Sequence, residues 1–382
     1  MNMKKAIKLI PLSLLVVSFT GSAIATQTAI ATQTTFAIQT ASAIQTKGEA
    51  NKESTIGTAP TLKVTDNSYV EVERLLYIGE LEQAAKMISE LVSSVDSTIQ
   101  QGLLKARIQL AQNKLDQASD TMDQLIARFP SDPELHYWLA MINGSQAQQA
   151  SIFSAGAFAK KSKNGFIKTI KLDRNYVQGY QGLIQFYLGA PAIAGGSLKK
   201  AKKTAAQLLE INRLQGLLSL VSMAREDDDE KLETKTIKAL ENEFQSSATA
   251  QYVVGFYYQQ KKKFDKAFLA FNKAVTIADY SEVTGESEQD FKDSKLNATY
   301  QLGRNAVFSE LHVKEGIAAL HEYLKADIST AMPSKHWASY RLAKLYILNA
   351  QSEQAKPILQ KLSRIDHADN LENLAKKELQ SL

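Results

Sequence analysis

The stretch from Ala248 to Ala278, ATAQYVVGFYYQQKKKFDKAFLAFNKAVTIA, constrains the fold more than any other part of this chain. Val254, Gly255 and Tyr258 share one face of a first helix. Phe264 opens the turn into a second helix, where Ala267, Phe271 and Ala274 recur at i, i+4 and i+7 and form one small-and-aromatic stripe. Gly255 and Ala267 let the two helices approach closely, while Tyr258 and Phe271 fill the space beside them. A helix pair of this kind cannot bury both faces alone. It needs similar pairs stacked on either side, so the unit predicts an array rather than a globule.

Weaker copies flank it. Gln101 to Pro130 carries Ala106, Ala118, Met122 and Leu125, and His336 to Leu362 carries Leu342, Ala343, Tyr346, Ala355 and Leu359. Glu71 to Leu91 has Leu75, Gly79, Ala84 and Ile88. Pro133 to Leu172 keeps Leu139, Ala140 and Phe166 but is about ten residues longer than a 34-residue repeat. Asn175 to Leu209 begins with Gly182 and resumes at Ala201 after an extra loop. Arg213 to Phe244 and Asn297 to Leu324 are helical pairs in which the pattern is half lost. Composition agrees. The 382 residues hold only 18 Gly and 7 Pro, few breakers for a sheet protein.

The order Val254-Gly255, Tyr258, Ala267, Phe271, Ala274 resembles the tetratricopeptide repeat residue by residue. The resemblance implies an all-α, right-handed superhelical solenoid over residues 66–382. About eight helix pairs would lie between 68 and 364, with a capping helix from Leu371 to Leu382. Each pair would touch only its neighbours.

The N-terminus predicts export. Lys4, Lys5 and Lys8 precede an apolar run from Leu9 to Thr20, and Gly21-Ser22-Ala23-Ile24-Ala25 supplies the small residues of a cleavage site. The run falls short of the roughly 20 residues that span a bilayer, so residues 1–25 read as a signal peptide and the mature chain as periplasmic. Removing this leader takes three positive charges from the formal +5 and leaves +2, an overall balance that favours neither nucleic acid nor an anionic surface. No later segment is apolar enough to cross a membrane. Residues 23 to 46 repeat AIATQT-like units, and the polar composition predicts a flexible tether over 26–65.

Chemistry-bearing motifs are few. With no cysteine there is no thiol nucleophile, disulfide or lipid-modified anchor. The five histidines, His136, His312, His321, His336 and His367, form no short-spaced metal pair. No nucleophile elbow or dinucleotide fingerprint occurs, so no catalytic, metal or cofactor residue is assigned and the chain is read as a non-enzyme. Gly189 to Ser197 interrupts the fourth pair and reads as a turn with Ser197 as helix cap, since it lacks the Lys of a phosphate loop. Asp279 to Ser294 is acidic and reads as a solvated loop, because Gly285 is out of register for calcium. Asp227 to Glu230 reads as a solvated turn.

When the pairs are aligned, Tyr137, Tyr252, Tyr300 and Tyr340 fall at one position of their first helices, and Met141, Phe256, Arg304 and Lys344 one turn later. In the tetratricopeptide family that position tends to face the concave surface. The resemblance therefore implies a stripe of aromatic and cationic groups suited to a peptide or protein partner; tyrosines that merely pad the groove between repeats are the competing reading. The family's carboxylate clamp for chaperone C-termini wants Lys and Asn where Tyr and Phe stand here, which disfavours that ligand. The expected function is an exported interaction scaffold of the bacterial envelope. Two carboxylates 5 to 10 Å apart in a cleft would point instead to an enzyme of envelope glycans. A featureless groove with an apolar outer patch would point to a spacer or oligomerising element.

Overall fold

The computed structural model describes residues 67–91, 99–365 and 370–382. The expected leader (1–25) and tether (26–65) lie outside the described residues, as does His367. Seventeen α-helices and no strand occur among the described residues.

They form eight consecutive antiparallel pairs and a cap. The first four pairs are α1 (Asn67–Ile78) with α2 (Leu81–Leu91), α3 (Ile99–Ala111) with α4 (Leu115–Arg128), α5 (Pro133–Gln149) with α6 (Ile152–Leu172), and α7 (Val177–Gly189) with α8 (Leu198–Ile211). The remaining pairs are α9 (Arg213–Glu226) with α10 (Glu230–Glu243), α11 (Ala248–Gln260) with α12 (Phe264–Thr276), α13 (Glu288–Ser309) with α14 (Val313–Lys325), and α15 (Lys335–Leu348) with α16 (Ser352–Leu362). Helix α17 (Leu371–Gln380) covers the last pair.

Helix boundaries follow local chemistry. Asp132 accepts from the Glu134 and Leu135 amides and Pro133 occupies the first helical position of α5. Ser247 caps α11, and Ser287 with Asp290 forms a reciprocal capping box on α13. Turns within the pairs are tight. Five place one residue in the left-handed region, Gly79, Asn113, Asp228, Lys262 and Ala350, and the seventh pair places two, Glu310 and His312. Non-glycine residues are held there at a cost of about 1 kcal/mol, which the packed pairs on either side sustain. The third and fourth pairs depart from this rule, with long helices α5 and α6 and the 190–197 turn.

Close approach within the sixth pair is as the sequence predicts. A Cβ on Gly255 would stand 2.5 Å from Cδ1 of Phe271, and both residues are buried. Gly182 instead packs on Phe166 of the preceding pair, so it spaces successive pairs rather than the helices of its own.

First helices also pack on first helices of neighbouring pairs, most closely α11 on α13 and α13 on α15, while second helices stay apart. The first helices therefore line the inner wall of the curve. Between α9 and α11 this packing opens, and residues of the second insertion fill the gap. Here the expectation of a solvated loop is corrected. The Gly285 carbonyl accepts from Asn212 (2.8 Å) and Gln215 (3.4 Å) at the start of α9. Buried Glu286 accepts from the Thr249 amide of α11 at 2.9 Å and from the Thr284 hydroxyl, and residues 288 to 294 are the opening turns of α13. The polar composition served capping rather than hydration.

The nearest-neighbour expectation fails at one place. Helix α1 returns to the far end of the array, where Arg74 pairs with Asp327 at 3.1 Å and Tyr77 packs beside Met332 and Tyr323.

Candidate binding groove

The inner wall of α11, α13 and α15 gathers an unusual set of side chains. Arg304 of α13 donates to Oε1 of Gln259 at 2.5 Å and of Gln301 at 3.3 Å, and its guanidinium lies 4.9 Å from the centre of the Phe308 ring. Arg341 of α15 lies over the same ring at 5.6 Å, over Trp337 at 5.5 Å, and donates from Nε to the Tyr300 hydroxyl at 2.7 Å. Arg341 is only 7% exposed. Among the described residues no carboxylate pairs with either arginine. Burial, then the like charge of Arg341, push the Arg304 guanidinium down to about 10. It remains a cation at neutral pH.

Two guanidiniums over one aromatic ring, one buried and one half-buried, with no carboxylate on either among the described residues, are costly. Glutamine oxygens and aromatic faces offset part of that cost. Neither supplies the two parallel acceptors that a guanidinium fork is shaped to meet.

The wall continues on both sides. On α9, Arg225 lies 5.7 Å over the Phe256 ring and donates to Glu233 at 2.7 Å. Tyr252 is half-buried between Phe256 and Phe271; burial raises its phenol, opposed by Arg225 and Arg304. At the other end, Tyr340 (3.2 Å) and Lys344 (2.8 Å) both donate to Oε1 of Glu378 on α17. Burial and the Glu378 carboxylate push the Tyr340 phenol up to about 12.

The tyrosine row therefore divides. Tyr137 and Tyr300 are core residues: Tyr137 sits among Trp138, Phe166 and Tyr176, and Tyr300 against Tyr323 under Arg341. Neither is a surface anchor, because the alignment counts position along each helix but not the twist that turns it inward. Tyr252, Phe256, Arg304, Tyr340 and Lys344 do reach the wall, with Met141 half-buried on α5. Sequence reading missed Arg341, Phe308, Trp337 and Gln259. One signal was present. Neither Arg304 nor Arg341 has an acidic residue three or four positions away, where helical arginines usually find partners.

The first insertion matches its reading: Ser197 accepts from the Lys200 amide and caps α8. Asp229 likewise caps α10.

Sequence profiles described as tetratricopeptide repeat match residues 103–150 and 337–365. Yeast Tom70 is similar in structure, with a TM-score of 0.53 at 15% identity, covering 96% of this chain and 75% of that one. The fold is a tetratricopeptide solenoid. A tetratricopeptide repeat protein from Parabacteroides merdae is also similar, at a TM-score of 0.40 and 12% identity over 73% of this chain and 99% of that one. A thermophilic member from Thermus thermophilus aligns over 61% of this chain and 97% of its own, at a TM-score of 0.36 and 14% identity. No protein of curated function matches the sequence. Tetratricopeptide solenoids generally mediate contacts between proteins and are typically not enzymes. Among the described residues no helix is long and apolar enough to cross a membrane.

Proposed function

We propose that this protein is a non-catalytic scaffold of the bacterial envelope, exported by its leader, that holds a protein partner along the inner wall of α11, α13 and α15. The observation that carries this reading is the Arg304–Arg341 pair. Sharing the Phe308 ring, with Arg341 buried, Arg304 half-buried and no carboxylate on either among the described residues, it is a socket for an acidic side chain of the partner, with Tyr252, Phe256, Phe308 and Trp337 as walls. Helix α17 supports the idea from within the chain. Its Glu378 already engages Tyr340 and Lys344 much as a partner helix would engage the neighbouring arginines.

The test is cross-linking in intact cells followed by pull-down and mass spectrometry, with wild type beside the Arg304→Met and Arg341→Met variants. A partner captured by wild type and lost from both variants, while their helicity and melting are kept, supports the socket. Undiminished capture by both variants refutes it. N-terminal sequencing of the native protein tests export: a chain starting near Thr26 is expected, and one retaining Met1 overturns it.

A further inference from the structure

The third and fourth pairs carry a second surface, on the edge of the solenoid formed by turns within pairs. Helices α5 and α6 have 17 and 21 residues, against 11 to 14 for most of the others. The hairpin therefore projects roughly 6–10 Å beyond its neighbours. No charged residue lies between Tyr137 and Ala159. At its tip Phe153 is 94% exposed and Ile152 is 72% exposed. The adjacent 190–197 turn presents Ile193, fully exposed. This turn packs on α6, with Lys163 Nζ 3.3 Å from where a side chain on Gly195 would begin.

Immediately behind these apolar tips the surface is basic. From residue 150 to 209 the sequence holds ten Lys and Arg against one acid, Asp173. Lys160 and Lys161 on α6, and Lys199, Lys200 and Lys203 on α8, are exposed. Lys161 lies over the Phe158 ring and Lys200 over Tyr187, contacts that leave their charge uncompensated. Only Lys202 approaches a carboxylate, Asp227 at 3.8 Å, among the described residues.

We infer that the α5–α6 tip and the 190–197 turn dock this protein on an anionic lipid surface. Exposed Phe and Ile side chains enter the acyl boundary while the lysines behind them meet lipid phosphates, the arrangement of a peripheral membrane protein. A second copy of this chain fits less well. Three protruding side chains fall short of the ~1,200 Å² that a stable interface buries, and a two-fold contact would set lysine against lysine. Nucleic acid fits the lysines but would leave the apolar tip in water. The chain's near-neutral overall balance does not oppose the docking, because fields are screened within about 10 Å and the charge here is local.

The experiment uses the full chain with vesicles of phosphatidylcholine alone or mixed with phosphatidylglycerol. A Phe153→Trp variant, read against the background of Trp138 and Trp337, should shift its emission to the blue only with the anionic vesicles. That shift should weaken as salt is added. Lys160→Glu with Lys161→Glu should lower partitioning at least about tenfold. In sedimentation, Phe153→Ser with Ile193→Ser should lower it comparably, with circular dichroism unchanged. No shift at position 153, an equal shift with neutral vesicles, or partitioning unaffected by both double variants would overturn the inference. So would a tip-dependent dimer without lipid binding, or binding of RNA in preference to vesicles.

Discussion

Tyr77 donates its hydroxyl to Oδ1 of Asp293 at 2.9 Å across 216 residues of sequence. Nothing in a nearest-neighbour array requires this contact. It belongs to a small seam in which Arg74 meets Asp327 and a Cβ on Gly79 would stand 2.4 Å from the Thr330 methyl group. Gly79, with φ of +84°, is thus doubly constrained, by its left-handed turn and by that approach. Burial and the Asp293 charge hold the Tyr77 phenol well above its ordinary range, and burial raises the Asp293 carboxyl. The seam joins the first pair to the seventh and eighth, so the two ends of the array are mechanically coupled.

Opening the seam should release the first pair alone. Arg74→Ala with Tyr77→Ala removes the Arg74 ion pairs with Asp327 and Glu71 and a half-buried aromatic, whose loss costs about 2 kcal/mol of local stability. Hydrogen exchange should show lost protection in α1 and α2 with α11 and α12 unchanged, and small-angle scattering should show a larger radius. Equal loss of protection at α11 would mean that the seam supports the whole fold rather than its ends.

The Gly255 contact tests the interior of the sixth pair. Gly255→Leu forces four carbons toward a Phe271 ring already in van der Waals range and should destabilise by about 1–3 kcal/mol. Protection should fall first in α11 and α12, then in α10 and α13. A uniform fall along the chain would show that the solenoid unfolds as a single unit.

The pairing of helices was legible because Gly255, Phe271 and their counterparts recur at helical spacing, and that spacing is a local property. The Ser197 cap was legible because capping too is local, whereas Asp227 to Glu230 read only as a solvated turn and the Asp229 cap emerged with the structure. Three further features were not legible. The α1 seam depends on how far the array curves, a sum of small rotations that no single repeat records. The 279–287 wedge reads as polar loop because Thr284 and Glu286 are buried by distant helix ends, α9 and α11. Arg341 was passed over because it precedes apolar Leu342 and Ala343 and follows Tyr340, so it reads as an edge residue. Its meeting with Phe308 and Tyr300 is made by the neighbouring repeat.

Asp290 gives the wedge a pH dependence. Burial, then the nearby Asp293 and Glu286 charges, push its carboxyl from 3.8 up to about 6, against the opposing hydrogen bonds from Ser287. Between those two values the folded state keeps a proton that the unfolded chain has released. Stability therefore falls as pH rises from about 4 to about 6, and the penalty persists above that. Asp290→Asn keeps an acceptor for the Ser287 amide and abolishes the charge. Melting of the variant should match wild type below pH 4 and exceed it at neutral pH, by on the order of 1 kcal/mol. A constant offset between the two curves across this range would exclude Asp290 as the source.

The two tyrosines of the sixth and seventh pairs should behave in opposite ways. Tyr300 is buried against Tyr323 and its hydroxyl accepts the only hydrogen bond made by Arg341 among the described residues. Tyr300→Ala should cost about 3–5 kcal/mol by the cavity alone, and it also strips a buried cation of its acceptor. Tyr252 is half-buried on the wall, flanked by Phe256 and within the field of Arg225 and Arg304. Tyr252→Ala should lower melting by only a degree or two while weakening partner capture roughly tenfold or more, as for an aromatic anchor at a binding hot spot. Thermal melts and pull-downs on the two single variants separate the roles. If Tyr252→Ala melts as low as Tyr300→Ala and retains the partner, the tyrosines are packing throughout, and recognition rests on Arg304 and Arg341 without them.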